Sequence, residues 1–342
     1  MTDKAERDVE DEVIHPGLGI QCDRPQFFFS RHVGPILSEV GNVAHSSRSE
    51  AFLESFLSDL FRDRPMNCKS TDQYQHIRNA TARITYANQT FLVDPFLAPK
   101  ESMAGFPGTH NSQQRMPLVD LPMPVEKIME GVDAVIVTHT HEDHWDETAQ
   151  QAVPKNLPIF VQHESDAGML RTQGFKDVRI LHDSVTFNGV SLTRTGGAHG
   201  TVEMYAHPQM AQILGDAMGV VMQKEGHRTI YIMGDTIWTA DVNKALNRFQ
   251  PDVLVMNTGY ARIQGLSDSI IMGPDDVLKA TQVMPNAQII TVHMDTVNHT
   301  AVNRQDMHRF LVGEGIIHRV AVPEDGEIVK INGASITATS QL

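Results

Sequence analysis

The stretch THTHEDHWDE, residues 138–147, sets three histidines and an aspartate in the frame H-x-H-x-D-H: His139, His141, Asp143 and His144. Imidazole nitrogens and carboxylate oxygens together make ligand sets for zinc, manganese or iron. His139 and His141 are two positions apart and can point the same way, toward one ion. Asp143 and His144 come from the next turn of chain and can serve a second, adjacent ion. The alternative is a polar patch in a chain that carries 17 histidines. Three further residues weigh against that alternative. His199 in LTRTGGAHG, Asp235 in TIYIMGDT and His293 in QIITVHMD each close an apolar, β-branched run. Taken singly, each has an ordinary explanation: a core histidine, or an aspartate capping a helix. Together they supply a third histidine for the first ion, a bridging carboxylate, and a histidine for the second.

The elements that must position these residues are legible as short apolar runs. VDAVIVT leads directly into the motif and reads as a buried strand, so the motif sits in the turn at its C-terminal end. Comparable strands are expected at LPIFVQ, DVRIL, VSLTRT, MGVVMQ, TIYIMGD, DVLVMN and QIITVH, and a pair joined at ANQ within TARITYANQTFLVDPF. Amphipathic helices fit between several of them, as in GPDDVLKATQVM. The result is an α/β chain of many short strands. Residues 95–124 form a long Pro- and Gly-containing segment, the kind that flanks a ligand more often than it merely connects elements. Residues 1–75 differ in texture. An acidic tail precedes Phe52, Leu53, Phe56, Leu57, Leu60 and Phe61 on one helical stripe. That stripe either docks on the body of the protein or meets a second copy, which leaves a homo-oligomer open.

Bulk properties bound the partners. The chain has 342 residues and a formal net charge of −14, which opposes binding to a phosphate backbone. No apolar run approaches the roughly 18 residues of a membrane span, and the N-terminus has no apolar signal core. Cys22 and Cys68 are the only cysteines and form no C-x-x-C pair, so a disulfide framework is not expected and a cytoplasmic location is. No G-x-S-x-G elbow and no P-loop is present, which leaves serine-type acyl transfer and ATP use without support.

In order, H-x-H-x-D-H, a lone histidine, a G-D-T aspartate and a final histidine follow a LVDP strand. The chain thereby resembles the metallo-β-lactamase superfamily of metallohydrolases over roughly residues 76–335. RNATARITYANQTFLVDPFL together with VHMDTVNHT resembles its L-ascorbate-6-phosphate lactonase-like branch. The resemblance implies a four-layer αββα sandwich spanning residues 76–342, with residues 1–75 as an N-terminal extension. It implies one ion on His139, His141 and His199, another on Asp143, His144 and His293, and Asp235 bridging them. Zinc is the first expectation, with manganese or iron as alternatives. Asp94 in LVDP matches a superfamily aspartate and is expected to orient a ligand histidine.

Two adjacent ions can bridge a water and bring its pKa toward neutrality, which supplies a hydroxide for hydrolysis. Asp143 could also move a proton, although ligation competes with that role. His299, six residues past His293, could reach a substrate. Tyr260 could donate to an oxyanion, and Arg262 could hold an anionic group. His110 and Asn111 in the long loop are candidates for substrate choice. These features point to hydrolysis of a small, anionic lactone or related ester or amide. The alternatives are a phosphodiesterase or nuclease of the same superfamily, and a metal-binding module without turnover.

Overall fold

A computed structural model describes residues 72–331. The acidic tail and the apolar stripe at 52–61 lie outside the described residues. The strands in chain order are β1 (Gln73–Arg78), β2 (Thr81–Tyr86), β3 (Gln89–Val93), β4 (Ala134–Ile136), β5 (Ile159–Val161), β6 (Val178–Ile180), β7 (Ser184–Phe187), β8 (Val190–Thr195), β9 (Gly219–Gln223), β10 (Ile230–Ile232), β11 (Val253–Asn257), β12 (Gln288–Val292), β13 (Val320–Ala321) and β14 (Ile328–Lys330). The α-helices are α1 (Val125–Met129), α2 (Glu147–Ala152), α3 (Glu164–Thr172), α4 (Val202–Tyr205), α5 (Pro208–Leu214), α6 (Ala240–Phe249), α7 (Pro274–Val283) and α8 (Arg304–Gly313).

The strands form two mixed sheets in the orders β14-β1-β2-β3-β4-β5-β6 and β13-β12-β11-β10-β9-β8-β7. Both follow one plan. In the first, β14, β1, β2 and β3 pair antiparallel, and β3 to β6 pair parallel. In the second, β7 to β10 pair antiparallel, and β10 to β13 pair parallel. At the ANQ turn, Ala87 and Asn88 take positive φ (53° and 63°), the mirror-type turn whose twist matches a tight hairpin.

Side-chain alternation explains the layering. Ile84, Phe91 and Ile136 of one sheet meet Leu192, Val220, Ile232, Val255 and Ile290 of the other in a central core. Val135, Val137, Ile159 and Val161 face outward onto Ile128 of α1, Ala149 of α2 and Leu170 of α3. Tyr231, Leu254, Met256 and Ile289 face outward onto Val242 and Leu246 of α6, Val277 of α7 and Met307 of α8. Strands β4, β5, β10 and β11 are therefore covered on both faces, which is why they read as unbroken apolar runs rather than alternating ones. This is the αββα sandwich of the metallo-β-lactamase fold.

The sequence runs located β2–β6 and β8–β12, and helix α7. They passed over β1, β7, β13 and β14. All four lie at or beside a sheet edge, and β7, β13 and β14 are short and partly exposed. Strand β1 opens at Gln73, so it runs across the 75/76 boundary drawn from the sequence. No helix among the described residues is long and apolar enough to cross a membrane.

Candidate metal centre

Strands β8 and β10 both run antiparallel to β9, so their C-terminal ends lie at the same edge as those of β11 and β12. Ligand sites in α/β sheets form at the carboxyl ends of strands, where the next turn is free to turn inward. The motif residues follow β4; His199, Asp235 and His293 follow β8, β10 and β12. Gly234 sets Asp235 in place. It holds φ 69°, and a Cβ there would stand 2.5 Å from the Met218 carbonyl oxygen, so no larger residue fits before the aspartate.

All seven expected ligands converge. Asp235 Oδ2 lies 3.3 Å from His144 Nε2, 3.5 Å from His293 Nε2, 3.6 Å from His199 Nε2 and 4.0 Å from His139 Nε2. His139 Nε2 is 3.0 Å from His141 Nδ1. Asp143 Oδ2 is 3.4 Å from His293 Nε2 and 3.9 Å from His144 Nε2. Three groups of side chains could each hold an ion: His139, His141 and His199; His139, His144 and Asp235; Asp143, His144 and His293. Six of the seven ligands are buried, and His141 is half-buried.

Far-side hydrogen bonds on three of the five rings set which nitrogen faces the cluster. His144 Nδ1 donates to Asp94 Oδ2 at 2.9 Å, which turns its Nε2 toward the cluster. His199 Nδ1 donates to the Ile270 carbonyl at 2.8 Å, and His141 Nε2 donates to the Ile213 carbonyl at 3.0 Å. Asp94 also accepts from the Thr138 backbone N and hydroxyl, both at 2.7 Å, and so ties β3's end to the motif turn.

The donor set fits a cation. His144 Nε2 and His293 Nε2 face each other at 3.2 Å, and both lie close to the buried carboxylates of Asp235 and Asp143. Asp143 Oδ2 is buried and has no hydrogen-bond donor. Burial lowers the pKa of His139 well below its usual value, with the neighbouring His144 adding to it, and burial brings His199 to about 4. Both rings are thus neutral, as ligation requires. Burial acts the same way on His144 and His293, but the facing carboxylates outweigh it. They raise His144 well above its usual value and His293 to about 9. Burial would likewise raise Asp143 and Asp235, yet His144 and His293 hold both well below the usual carboxylate range. The pocket is therefore built around positive charge.

The other expected site residues divide. His299 is buried; its ring centroid is 6.3 Å from that of His293 and meets Phe106 edge-on at 5.0 Å. Phe106 brings the long loop against His299. His110 is exposed, and its carbonyl accepts from Asn298 Nδ2 at 2.8 Å. The Tyr260 ring lies against Gly273, ahead of α7, and no hydrogen bond joins its hydroxyl to a ligand side chain among the described residues. Arg262 Nη2 donates to the Leu266 carbonyl at 3.1 Å, and its backbone N donates to the His299 carbonyl at 2.9 Å.

Two supports escaped sequence reasoning. Asn257 Nδ2 donates to Asp235 Oδ1 at 2.6 Å, and Asn79 Nδ2 donates to the Asp143 carbonyl at 3.0 Å. Asn257 ends the DVLVMN run, where a polar residue closing a buried strand was the available signal. Asn79 has φ 58°, a turn conformation that asparagine tolerates.

A two-sheet sandwich with this cluster at its strand ends defines a metallo-β-lactamase-type domain, and residues 89–294 match the family described as the Beta-lactamase superfamily domain. YddR, a UPF0173 protein of Bacillus subtilis (strain 168), is 40% identical over 251 residues, covering 73% of this chain and 96% of its own. A UPF0173 metal-dependent hydrolase of Azorhizobium caulinodans is 24% identical, with 74% and 97% covered. The chain belongs to the UPF0173 metal-dependent hydrolase family of the metallo-β-lactamase superfamily. Two crystal structures are also similar. A possible metal-dependent hydrolase from Veillonella parvula DSM 2008 is 57% identical, with TM-score 0.75 and coverage of 75% of this chain and 98% of that one. An isothiocyanate hydrolase from Delia radicum gut bacteria is 44% identical, with TM-score 0.73 and coverage of 76% and 99%.

Proposed function

We propose that this protein is a two-ion hydrolase that adds water to an electrophilic carbon of a small, apolar substrate, with isothiocyanates as the leading class. The observation that carries the hydrolytic reading is the single buried oxygen, Asp235 Oδ2, within 4.0 Å of four imidazoles. His139, His141 and His199 would hold one ion, Asp143, His144 and His293 the other, with Asp235 shared. Zinc is the first candidate, and manganese or iron suits the same nitrogen–oxygen donors. When bound, such ions supply Lewis acidity and lower the pKa of water toward neutrality.

The chain's own residues do the rest. Asp143, buried beside His144 and His293, would act first as an ion ligand, and any proton transfer through it competes with ligation. His299, lowered to about 4 by burial, is neutral at pH 7 and can donate a hydrogen bond to the departing atom. For an isothiocyanate, a C–O bond forms at the central carbon and the C–N bond then breaks. Nitrogen receives both protons of the water, and the products are an amine and carbonyl sulfide. Tyr260 keeps the oxyanion-donor role only if Tyr260→Phe slows turnover.

The surroundings favour an apolar, uncharged substrate. Phe106 covers His299, and the carbonyl that holds His199 belongs to Ile270, part of an apolar cluster with Met204, Leu214 and Ile271. Arg262, the candidate counter-charge for an anion, is bonded to Leu266. The 44% identity to an isothiocyanate hydrolase over nearly its whole length supports the same class. A lactone is the second reading, favoured by the RNAT and VNHT segments that resemble the lactonase branch. A nuclease is disfavoured by the net charge of −14.

The test is turnover of phenethyl isothiocyanate, a homoserine lactone and bis-p-nitrophenyl phosphate by metal-loaded protein, with released amine quantified. Amine release that a chelator abolishes is expected. Turnover of the lactone alone would install the second reading, and turnover of the phosphodiester alone would overturn both.

A further inference from the structure

Arg304 occupies the first position of α8, where a cation meets the positive end of the helix dipole and is ordinarily disfavoured. It is nonetheless 9% exposed, with all three guanidinium nitrogens hydrogen-bonded. Its Nη1 and its backbone N donate to Asp295 Oδ2, at 3.2 and 3.1 Å. Its Nε donates to the Pro323 carbonyl at 2.9 Å. Its Nη2 donates to Asp325 and to His76 Nε2, the latter at 3.1 Å. A guanidinium has no acceptor, so that His76 nitrogen accepts and the ring is neutral. These partners lie on three separate pieces of chain: β1, the loop after β12, and the turn before β14.

The loop after β12 begins at His293 and carries His299. His293 and Asp295 both hold left-handed backbone, with φ 64° and 62°. Such a conformation costs energy outside glycine and persists only where its surroundings fix it. His293 N donates to the Asn79 carbonyl at 2.9 Å, which anchors one side of the strained pair. The Asp295 carboxylate, gripped by Arg304, anchors the other.

We propose that Arg304 is a positioning residue for the metal centre: its grip on Asp295, Asp325, Pro323 and His76 holds the loop that aims His293 at the ion shared with Asp143 and His144. The mechanism is selective. His139, His141 and His199 stand on other turns and have no contact with the clamp. Loosening the loop should therefore weaken one ion and spare the other. A single ammonium cannot span the two carboxylates as the fork does, so lysine should restore only part of the grip.

The inference rests on the two-ion reading above, and the test separates the two. Chelator-stripped wild type, Arg304→Gln and Arg304→Lys are titrated with zinc, and ion stoichiometry is measured by mass spectrometry. In Arg304→Gln one ion should bind as in wild type, and the other about 10–100-fold more weakly, the range typical for lost partners of metal ligands. Arg304→Lys should fall between. Leu246→Ala, a core truncation in α6, is the control: it should lower the thermal midpoint and leave both affinities unchanged. If Arg304→Gln does not fold, Asp295→Asn is read by the same criterion. Wild-type affinity for both ions in the variant, or equal weakening of both, would overturn the clamp. Failure of the wild type to bind any ion would instead overturn the two-ion reading itself.

Discussion

The two sheets share one plan, three antiparallel pairings followed by three parallel ones, yet they deliver ligands in opposite styles. The first sheet places four ligands within six residues of one turn after β4, His139 to His144. The second places one ligand after each of β8, β10 and β12. A short turn fixes its side chains relative to one another through local backbone, here with His144 N donating to the His141 carbonyl at 2.9 Å. Scattered ligands have no such local frame. They depend on strand order and on partners such as Asn257 and the Ile270 carbonyl. Clustering therefore makes half of the candidate site visible, while the dispersed half carries Asp235 Oδ2, the oxygen that lies within 4.0 Å of four imidazoles.

The strongest test of that contrast is Asp235→Ala. If the dispersed half is central, the variant should lose at least one ion and about 10³-fold or more of turnover, since a group that balances charge at the reacting centre carries effects of that order. Metal analysis, a kinetic assay and a circular dichroism spectrum, the last expected to be unchanged, would check this. Full ion content with normal turnover would break the comparison.

The clustered half has its own dependence. Asp94→Ala removes the acceptor of His144 Nδ1 and the tie to Thr138, and ion affinity should fall about 10–100-fold while the first-sheet fold persists. Calorimetric zinc titration reads this directly. No change would mean that the motif turn is rigid without outside support.

A third measurement concerns stability and pH in chelator-stripped protein. Burial lowers His299 from its usual value to about 4 in the folded state. Between these values the unfolded chain binds the extra proton, so stability rises with pH there. The contribution is fully present above the unfolded value and is lost as pH falls toward the folded one. His299→Phe should make the loss between pH 7 and 5 smaller by about 2 kcal/mol, measured by denaturant unfolding. An unchanged pH dependence would remove His299 as its source.

The smallest expected effect sharpens the comparison. Asn257→Ala removes one donor from Asp235 Oδ1 and should weaken ion binding by about tenfold. A loss as large as that of Asp94→Ala would show that the two halves lean equally on their supports.

Much of the molecule was legible before its structure. Apolar runs covered on both faces located β4, β5 and β10–β12, because burial selects β-branched and aliphatic residues at every position. Two β-rich runs joined at ANQ located the β2–β3 turn. The seven candidate ligands converge, and they were legible because ligation demands particular residue types and each candidate follows a readable strand. Edge strands such as β14 were not found, since exposed positions tolerate mixed polarity and leave no period.

Residue types and strand ends can be read along the chain, whereas the nitrogen that His141, His144 and His199 turn toward the cluster is set by partners that only folding supplies. His144 and His199 present Nε2 because Asp94 and the Ile270 carbonyl occupy Nδ1, whereas His141 presents Nδ1 because the Ile213 carbonyl occupies Nε2. Those partners lie 50, 71 and 72 residues away along the chain. Shorter separations, 22 and 9 residues, were enough to hide Asn257 behind Asp235 and Arg304 behind Asp295. Residue type is a property of each position, but the direction of a lone pair depends on which distant strand folding brings alongside it.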